Sequence, residues 1–188
     1  MSRVEGDRVG VPGVFPADVR LVGHGLVLRE WDDGDLAAMA RLFDDPDVAY
    51  WTPLVSPFDL GAARVYLKRA RERRAAGLRV QLAITADGVE PLGEVMLMLS
   101  GAGLDVAEIG YIVGVAHRGR GLAGRAVRVM TDFARGTVGV ARLLLEIEAG
   151  NAASAAVARA AGYRLTDAPP ILAEEKGRPL ALQTWEHL

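Results

Sequence analysis

A glycine-rich segment, residues 118–124 with the sequence Arg-Gly-Arg-Gly-Leu-Ala-Gly, lies between a strand-like apolar run and an amphipathic helical pattern. Glycine has no Cβ, so backbone N–H groups in such a loop can approach a bulky anion closely. The helix predicted over 121–135 contributes N-terminal N–H groups without intrahelical partners and the positive end of its dipole. A strand, a glycine loop and a helix in this order therefore predict a site for a diphosphate group.

The chain of 188 residues is long enough for one domain with a substantial core. Its formal net charge of −2 argues against nucleic acid as the main partner. It has no cysteine, which excludes disulfides, thiolate metal ligands and cysteine nucleophiles, and we expect no metal. No segment approaches the roughly 18 apolar residues of a membrane span, and residues 1–18 do not resemble a signal peptide. We therefore expect a bacterial cytoplasmic protein that does not bind membranes.

The periodicity of the apolar residues predicts one mixed α/β domain over residues 20–188, preceded by a tail or surface arm at 1–19. Strand patterns occupy 25–30, 78–85, 92–100, 106–113, 140–148, 171–174 and 179–188. Helical patterns begin after Asp32-Asp33, after Ser56-Pro57, at 121 and after Asn151, whereas 50–53 has the composition of a loop. Short turns between the strands that precede the glycine loop favour antiparallel pairing there.

Gly119, Gly121 and Gly124 also satisfy the G-x-G-x-x-G spacing of dinucleotide-binding sites. Glu146 ends the next strand, near the position expected for an acidic residue that contacts the ribose. That fingerprint normally lies directly at the end of a strand in the first βα turn, whereas residues 116–118 intervene here. The residues after 124 are also too few for the remaining strands of a doubly wound sheet. A nucleotide-cofactor oxidoreductase is therefore the remote alternative.

The glycine loop has a second interpretation, because Arg118-x-x-Gly121-x-Ala123 resembles the (Gln/Arg)-x-x-Gly-x-(Gly/Ala) acetyl-CoA motif of the GNAT acetyltransferase superfamily. Three other parts of the chain resemble the same family. The segment Glu108-Ile109-Gly110-Tyr111 is similar to its fourth strand, and Asn151-Ala152-Ala153-Ser154 with Gly162-Tyr163 is similar to its Asn-x-x-Ser … Gly-Phe segment. The start of its RimJ/RimL branch of ribosomal-protein N-terminal acetyltransferases resembles Leu28-Arg29-Glu30-Trp31 with Asp45-Pro46-Asp47-Val48. The resemblance spans about residues 24–187. It implies the GNAT fold, an α/β (α+β) arrangement with a central mixed, mostly antiparallel sheet of about 6–7 strands and helices on both faces.

The resemblance implies that acetyl-CoA is the cosubstrate. In GNAT enzymes the strands before and after the glycine loop separate, and the pantetheine arm fills the gap as a pseudo-strand. Carried over to this chain, backbone groups of Ile112 and Val113 face that arm, and Asn151 both caps a helix and bonds the arm. The residues expected at the pyrophosphate, chiefly through main-chain N–H groups, are Arg118, Gly119, Arg120, Gly121, Leu122, Ala123 and Gly124. Arg118 or Arg120 adds side-chain charge there, unless each is a solvated loop residue.

The resemblance further implies direct attack of a neutral amine on the acetyl thioester, which requires a general base. Glu108 matches the position that serves as base in some members, and Glu94 is the other carboxylate expected on an inner strand. A structural ion pair or a strand-edge carboxylate is the alternative for both. Many members protonate the leaving thiolate with a tyrosine seven residues after the asparagine, but Ala158 stands there in this chain. In the RimJ/RimL branch the candidate acid is a serine, here Ser154, whose alternative role is to bond the helix backbone.

The acceptor in this fold usually enters beside the first two helices and the last hairpin. Tyr50, Trp51, Phe58 and Trp185 are therefore candidate acceptor-site residues, with core packing an equal explanation for each. The resemblance implies a protein N-terminus or a small-molecule primary amine as acceptor, and homodimers are common in the family. A catalytically inactive acyl-CoA-binding regulatory module of the same fold is the main alternative, because the usual acid tyrosine is absent.

Overall fold

The computed structural model describes residues 11–100 and 104–187, which contain both strands and helices. The strands are β1 (Arg20–Gly23), β2 (Leu26–Glu30), β3 (Arg79–Thr85), β4 (Gly93–Ser100), β5 (Val106–Val113), β6 (Arg142–Glu148), β7 (Tyr163–Leu165), β8 (Ile171–Glu175) and β9 (Arg178–His187). The α-helices are α1 (Leu36–Phe43), α2 (Pro46–Trp51), α3 (Leu60–Ala75), α4 (Leu122–Phe133) and α5 (Ala152–Ala160), and a π-helical turn over Ala134–Val138 extends α4. Within these ranges, no helix has the length and apolar character that a membrane span requires.

The nine strands of the described ranges form one sheet in the order β1-β2-β3-β4-β5-β6-β9-β7, and β8 also pairs with β9. Every pair is antiparallel except β5 with β6, which is parallel. The expectation of a mixed, mostly antiparallel sheet is confirmed. The expected number of 6–7 strands is too low, because the periodicity does not show β1 and β7. These strands have four and three residues, too few for an alternating pattern to be recognised.

Helices cover both faces of the sheet, as expected, and enclose two hydrophobic clusters. The larger cluster lies between the sheet and the pair α4 and α5, and it includes the fully buried Met130. The smaller cluster joins α1 and α3 to the sheet and includes Phe43. Strand β3 separates the two, because Leu82 and Ile84 belong to the larger cluster and Ala83 between them belongs to the smaller one. The molecule therefore has three layers, with the sheet in the middle.

The segment between α1 and α3 differs from the sequence prediction. Residues 50 and 51 end helix α2 instead of lying in a loop, because Asp45 caps this helix and a proline takes its first position. Helix α3 begins at Leu60, after the N-cap Asp59, and therefore later than the predicted start at 56–57. The aromatic pair at 50–51 thus belongs to a short helix of defined position.

Residues 11–19 form neither helix nor strand, yet they pack against the domain. Phe15 and Val19 are buried in the larger hydrophobic cluster, and the N–H group of Val11 donates to the carbonyl oxygen of Gly77 at 3.3 Å. These contacts anchor the second half of the predicted arm to the domain. Residues 1–10, the first half, lie outside the described residues.

Candidate functional site

Strands β5 and β6 separate part-way along their length. Parallel pairing joins residues 106–108 to residues 142–144, after which β5 continues to Val113 and β6 continues to Glu148 without further pairs between them. The facing edges beyond this point therefore carry backbone N–H and C=O groups that the ladder does not use. The result is a wedge-shaped gap inside the sheet, next to the glycine loop.

A cleft of about 440 Å³ opens at this gap. Its walls are the end of β5, the glycine loop with the first turn of α4, the first turns of α5, and α2. The predicted cosubstrate-binding residues that line it are Ile112, Val113, Arg118, Gly119, Gly121, Leu122, Ala123, Gly124, Asn151 and Ser154. Arg120 is exposed and lies outside the lining, and the two predicted bases, Glu94 and Glu108, are also outside it.

The glycine loop adopts the conformation that its residues predict. Gly119 and Gly121 have φ angles of 75° and 68°, in the left-handed region where a side chain is strained. A Cβ added to either glycine would meet no other atom within 4 Å, so both face open space. Gly121 is the N-cap of α4, whose first N–H groups have no intrahelical partner. The loop therefore has both the hydrogen-bond donors and the room that a diphosphate requires.

The first turn of α5 forms another wall of the cleft. Asn151 caps the helix, as the sequence predicts, because its Oδ1 accepts a hydrogen bond from the N–H group of Ser154 at 2.9 Å. The phenol of Tyr111 on β5 donates to the carbonyl oxygen of Ser154 at 3.4 Å, and burial raises the pKa of Tyr111 to about 12. Tyr111 is therefore protonated at neutral pH and holds the first turn of α5 against β5.

Glu94 is buried behind the wall of the cleft. Its register partner on β5 is Ile112, which lines the cleft, but the Glu94 side chain is fully buried on the face covered by α1 and α3. Tyr66 of α3 donates a hydrogen bond to Glu94 Oε1 at 2.5 Å, and Gln81 donates to the Tyr66 hydroxyl group at 2.6 Å. Gln81 also donates to Glu94 Oε1, at 3.4 Å. Burial raises the pKa of Glu94 to about 7, although the hydrogen bonds that it accepts from Tyr66 and Gln81 favour the carboxylate. Glu94 therefore titrates near neutral pH, which suits a general base.

Glu108 lies where the gap between β5 and β6 begins. It forms the last register pair of that ladder, with Leu144, and it is 5% exposed. The hydroxyl group of Ser100 donates to Glu108 Oε1 at 2.9 Å. Because Glu108 pairs with Met98, four residues beyond Glu94 on β4, the two carboxylates share one face of the sheet. Both are buried, and neither lines the cleft.

The four aromatic residues predicted at the acceptor side separate into two groups. Trp51 lines the cleft with 38% of its surface exposed, and its ring contacts Tyr50 edge to face. Phe58 and Trp185 are 2% and 5% exposed and belong to the two hydrophobic clusters. Core packing therefore accounts for Phe58 and Trp185. Tyr50 and Trp51 are exposed, and of these two Trp51 lines the cleft.

Sequence reasoning does not identify α2 as a wall of the cleft. Asp47 and Val48 line the cleft from this helix, next to Trp51. One local signal indicates the helix, because Asp45 followed by proline is an N-cap and first-turn pair. Nothing local indicates that the helix lies beside the glycine loop.

The fold places an open cleft beside the gap between two strands of a sheet, with a glycine loop and a helix N-terminus at its wall. Residues 25–164 match the family described as acetyltransferase (GNAT) domain, and the chain belongs to this family. No curated protein matches the sequence.

Solved structures share the fold at low sequence identity. Mycobacterium smegmatis RimJ in complex with CoA-disulfide is 21% identical, with a TM-score of 0.75 over 94% of this chain and 90% of that chain. Ribosomal-protein-S5-alanine acetyltransferase from Vibrio fischeri is 19% identical, with a TM-score of 0.72 over 89% and 96%. The microcin C7 self immunity acetyltransferase MccE in complex with acetyl-CoA and AMP is 17% identical, with a TM-score of 0.75 over 88% and 93%.

Proposed function

We propose that this protein is an acetyl-CoA-dependent N-acetyltransferase that transfers the acetyl group directly to a primary amine, on a protein N-terminus or on a small molecule. The observation that carries the proposal is the cleft at the gap between β5 and β6, with the glycine loop at its wall. Membership of the GNAT family supports acetyl transfer. Two proteins of similar fold, RimJ and MccE, are solved with CoA-disulfide and with acetyl-CoA.

Three elements of the chain bind the donor in this proposal. Backbone N–H groups of residues 121–124 bind the diphosphate, since these groups lie at the start of α4. The edge of β5 at Ile112 and Val113, which pairs with no strand, offers backbone hydrogen bonds to the pantetheine arm beside the bond from Arg118 to the Val113 carbonyl oxygen. Asn151 uses Oδ1 to cap α5, so its NH₂ group remains to donate to the same arm. Acetyl-CoA bound in this way supplies an activated acetyl thioester.

The proposal assigns removal of the amine proton to a buried carboxylate. An alkylammonium group has a pKa of about 10, so the amine must lose a proton before it can attack. Glu94 is the first candidate, because burial raises its pKa to about 7, and Glu108 is the second, because it lies where the gap begins. Since neither residue lines the cleft, the proton reaches the carboxylate through bridging water.

Ser154→Ala is expected to lower turnover about 10- to 100-fold while the affinity for acetyl-CoA stays within about twofold. Ser154 lines the cleft, and its hydroxyl group is proposed to donate to the thiolate that leaves. That negative charge develops only during the reaction, so its loss affects the transition state and not ground-state binding. Titration calorimetry gives the affinity, and release of the CoA thiol with an accepted amine gives the turnover.

Ser56→Ala is the matched control, because Ser56 is exposed and lies outside the cleft. It should retain the turnover of the parent protein. A Ser154→Ala variant with parental turnover at every pH would show that Ser154 is not the acid.

Calorimetric titration with acetyl-CoA, with CoA, NAD and ATP as comparators, tests the function itself. We expect micromolar binding of acetyl-CoA and CoA and no response to NAD. A panel of amines and N-terminal peptides, followed by thiol release, then identifies the acceptor. Binding without release for any amine would support the inactive acyl-CoA-binding module, and a response to NAD alone would favour the oxidoreductase.

A further inference from the structure

We propose that Arg118 is a positioning residue whose side chain ties the glycine loop to α2 and thereby fixes one wall of the cleft. The role replaces the phosphate-binding role expected for this side chain. The effect of this role on catalysis rests on the proposed acetyl transfer, but the claim that Arg118 holds α2 in position does not.

The guanidinium group of Arg118 bonds three partners from two other elements. Nη1 donates to Asp47 Oδ2 at 2.7 Å, and Nη2 donates to Asp45 Oδ1 at 2.6 Å. Nε donates to the carbonyl oxygen of Val113 at 3.1 Å. One side chain thus joins the end of β5, the glycine loop and the beginning of α2. Charge-assisted bonds of this kind hold a planar guanidinium group in a fixed orientation.

Asp45 is the centre of this contact because it also caps α2. The same Oδ1 accepts hydrogen bonds from the N–H groups of Asp47 and Val48, both at 3.1 Å, and the Asp45 side chain is 12% exposed. Burial alone would raise the pKa of Asp45, but the hydrogen bonds from Arg118 and the α2 backbone lower it below its ordinary value. Loss of Arg118 would therefore leave a mostly buried carboxylate without its cation at the start of the helix.

The β8–β9 hairpin holds the other end of α2. Lys176 Nζ donates to two carbonyl oxygens at the end of the helix at 2.6 and 3.0 Å. Arg178 donates to the carbonyl oxygen of Tyr50 at 3.1 Å, lies 4.2 Å from the Tyr50 ring centre, and donates to Glu148 at 2.6 Å. A helix as short as α2 has little stability of its own, so its position depends on the contacts at its two ends and on Val48, which is buried in the smaller hydrophobic cluster.

Between these attachments α2 presents Val48 and Trp51 to the cleft. Trp51 extends toward the turn before α5, since a Cβ added at Gly150 would lie 3.8 Å from its Cη2 atom. Helix α2 therefore runs between the glycine loop and the turn that precedes Asn151. A displaced α2 would move this wall away from both cosubstrate-binding elements.

The positioning role and a phosphate-binding role predict different results for Arg118→Lys. Lysine keeps the positive charge that a diphosphate attracts, but a single ammonium group cannot reproduce the fork that bonds Asp45, Asp47 and the β5 carbonyl group. Asp47→Asn makes the converse change, because it weakens the attachment of α2 and keeps the charge of Arg118.

The test compares Arg118→Lys, Arg118→Gln and Asp47→Asn with the parent protein, and Arg164→Gln, exposed on β7, is the surface control. We expect amide hydrogen exchange of residues 47–52 to be at least about tenfold faster in both Arg118 variants and at least about threefold faster in Asp47→Asn. Adding Asp47→Asn to Arg118→Gln should produce no further increase, because both changes break the same contact. The acceptor KM should rise at least about fivefold in both Arg118 variants, with kcat changed less than twofold.

The opposite pattern overturns the proposal. In that pattern, Arg118→Lys keeps the parental exchange rate and the parental affinity for CoA. Arg118→Gln loses at least about tenfold in affinity for CoA but keeps its affinity for pantetheine, which lacks the diphosphate. That pattern would assign phosphate binding to the side chain. Hydrogen exchange of α2 needs no ligand, so it decides the positioning role even if the parent protein does not bind acetyl-CoA.

Discussion

A Gly121→Val substitution is expected to weaken acetyl-CoA binding at least about 100-fold, which corresponds to roughly 2.7 kcal/mol. Gly121 caps α4 with a φ angle of 68°, and a Cβ at this position would project into open space. In the proposed complex the diphosphate occupies that space, so a branched side chain blocks it. The left-handed conformation also costs a non-glycine residue about 1–2 kcal/mol, and relaxation of the loop would turn its N–H groups away. Titration calorimetry measures the loss.

Gly139→Val is the matched control for this experiment. Gly139 has a φ angle of 83°, and a Cβ there would also meet no atom within 4 Å, but the residue lies outside the cleft. Both variants should lose a similar free energy of unfolding in urea, about 1–2 kcal/mol, while only Gly121→Val loses acetyl-CoA binding. A folded Gly121→Val protein with the parental affinity would falsify the assignment of the loop.

Glu94→Gln is expected to lower amine acetylation about 100- to 10,000-fold above pH 7 and to remove the acidic limb of the pH–rate profile. A base must be ionised to accept a proton, and the pKa of Glu94 is about 7. The rate of the parent protein should therefore rise as the pH increases through 7 and then level off. Glutamine has nearly the same shape and can still bond Tyr66, so the variant tests the charge.

Glu108→Gln distinguishes the two carboxylates. If Glu94 is the base, Glu108→Gln keeps the acidic limb, and its turnover falls only as far as the substitution disturbs the hydrogen bond from Ser100. If Glu108 is the base, the limb persists in Glu94→Gln and disappears in Glu108→Gln. The latter result would leave Glu94 as a structural carboxyl group.

Urea unfolding of the same variants checks the raised pKa on which the profile depends. The pKa of Glu94 is about 7 in the folded protein against 4.5 for an unperturbed glutamate, so between these values only the folded state holds the proton. The free energy of unfolding therefore falls as the pH rises from about 4.5 to about 7, by about 3 kcal/mol in total, and levels off above it. Glu94→Gln should lack this part of the pH dependence.

Those parts of the site that depend on local interactions can be predicted from the sequence. Strand β5 has the predicted bounds, and Asn151 caps α5 because an asparagine before an alanine-rich run can bond the first N–H groups. The glycine loop is predictable for the same reason, since Gly119 and Gly121 permit positive φ angles without help from distant residues.

The remaining features depend on residues that are far apart in the sequence. Arg118 bonds Asp45 and Asp47, which precede it by 73 and 71 residues, so no local pattern indicates these partners. The sequence predicts that Glu94 lies on an inner strand. It does not predict that α3 covers this carboxyl group and places Tyr66 on it. Depth of burial also separates Trp51 from Phe58, and only the packing of the helices determines it.

The ladder between β5 and β6 is three register pairs long. Together with the adjacent backbone hydrogen bonds from residues 141 and 142 to residues 104 and 105, it connects strands β1–β5 to strands β6–β9 in the described sheet. Elsewhere the two halves meet through the side chains packed under α4 and α5. A donor bound along the separated edges of β5 and β6 would therefore add hydrogen bonds between the two parts of the sheet. In the proposed reaction, acetyl-CoA completes the sheet when it binds, and the gap opens again when CoA leaves. The cosubstrate therefore stabilises the sheet for as long as it is bound.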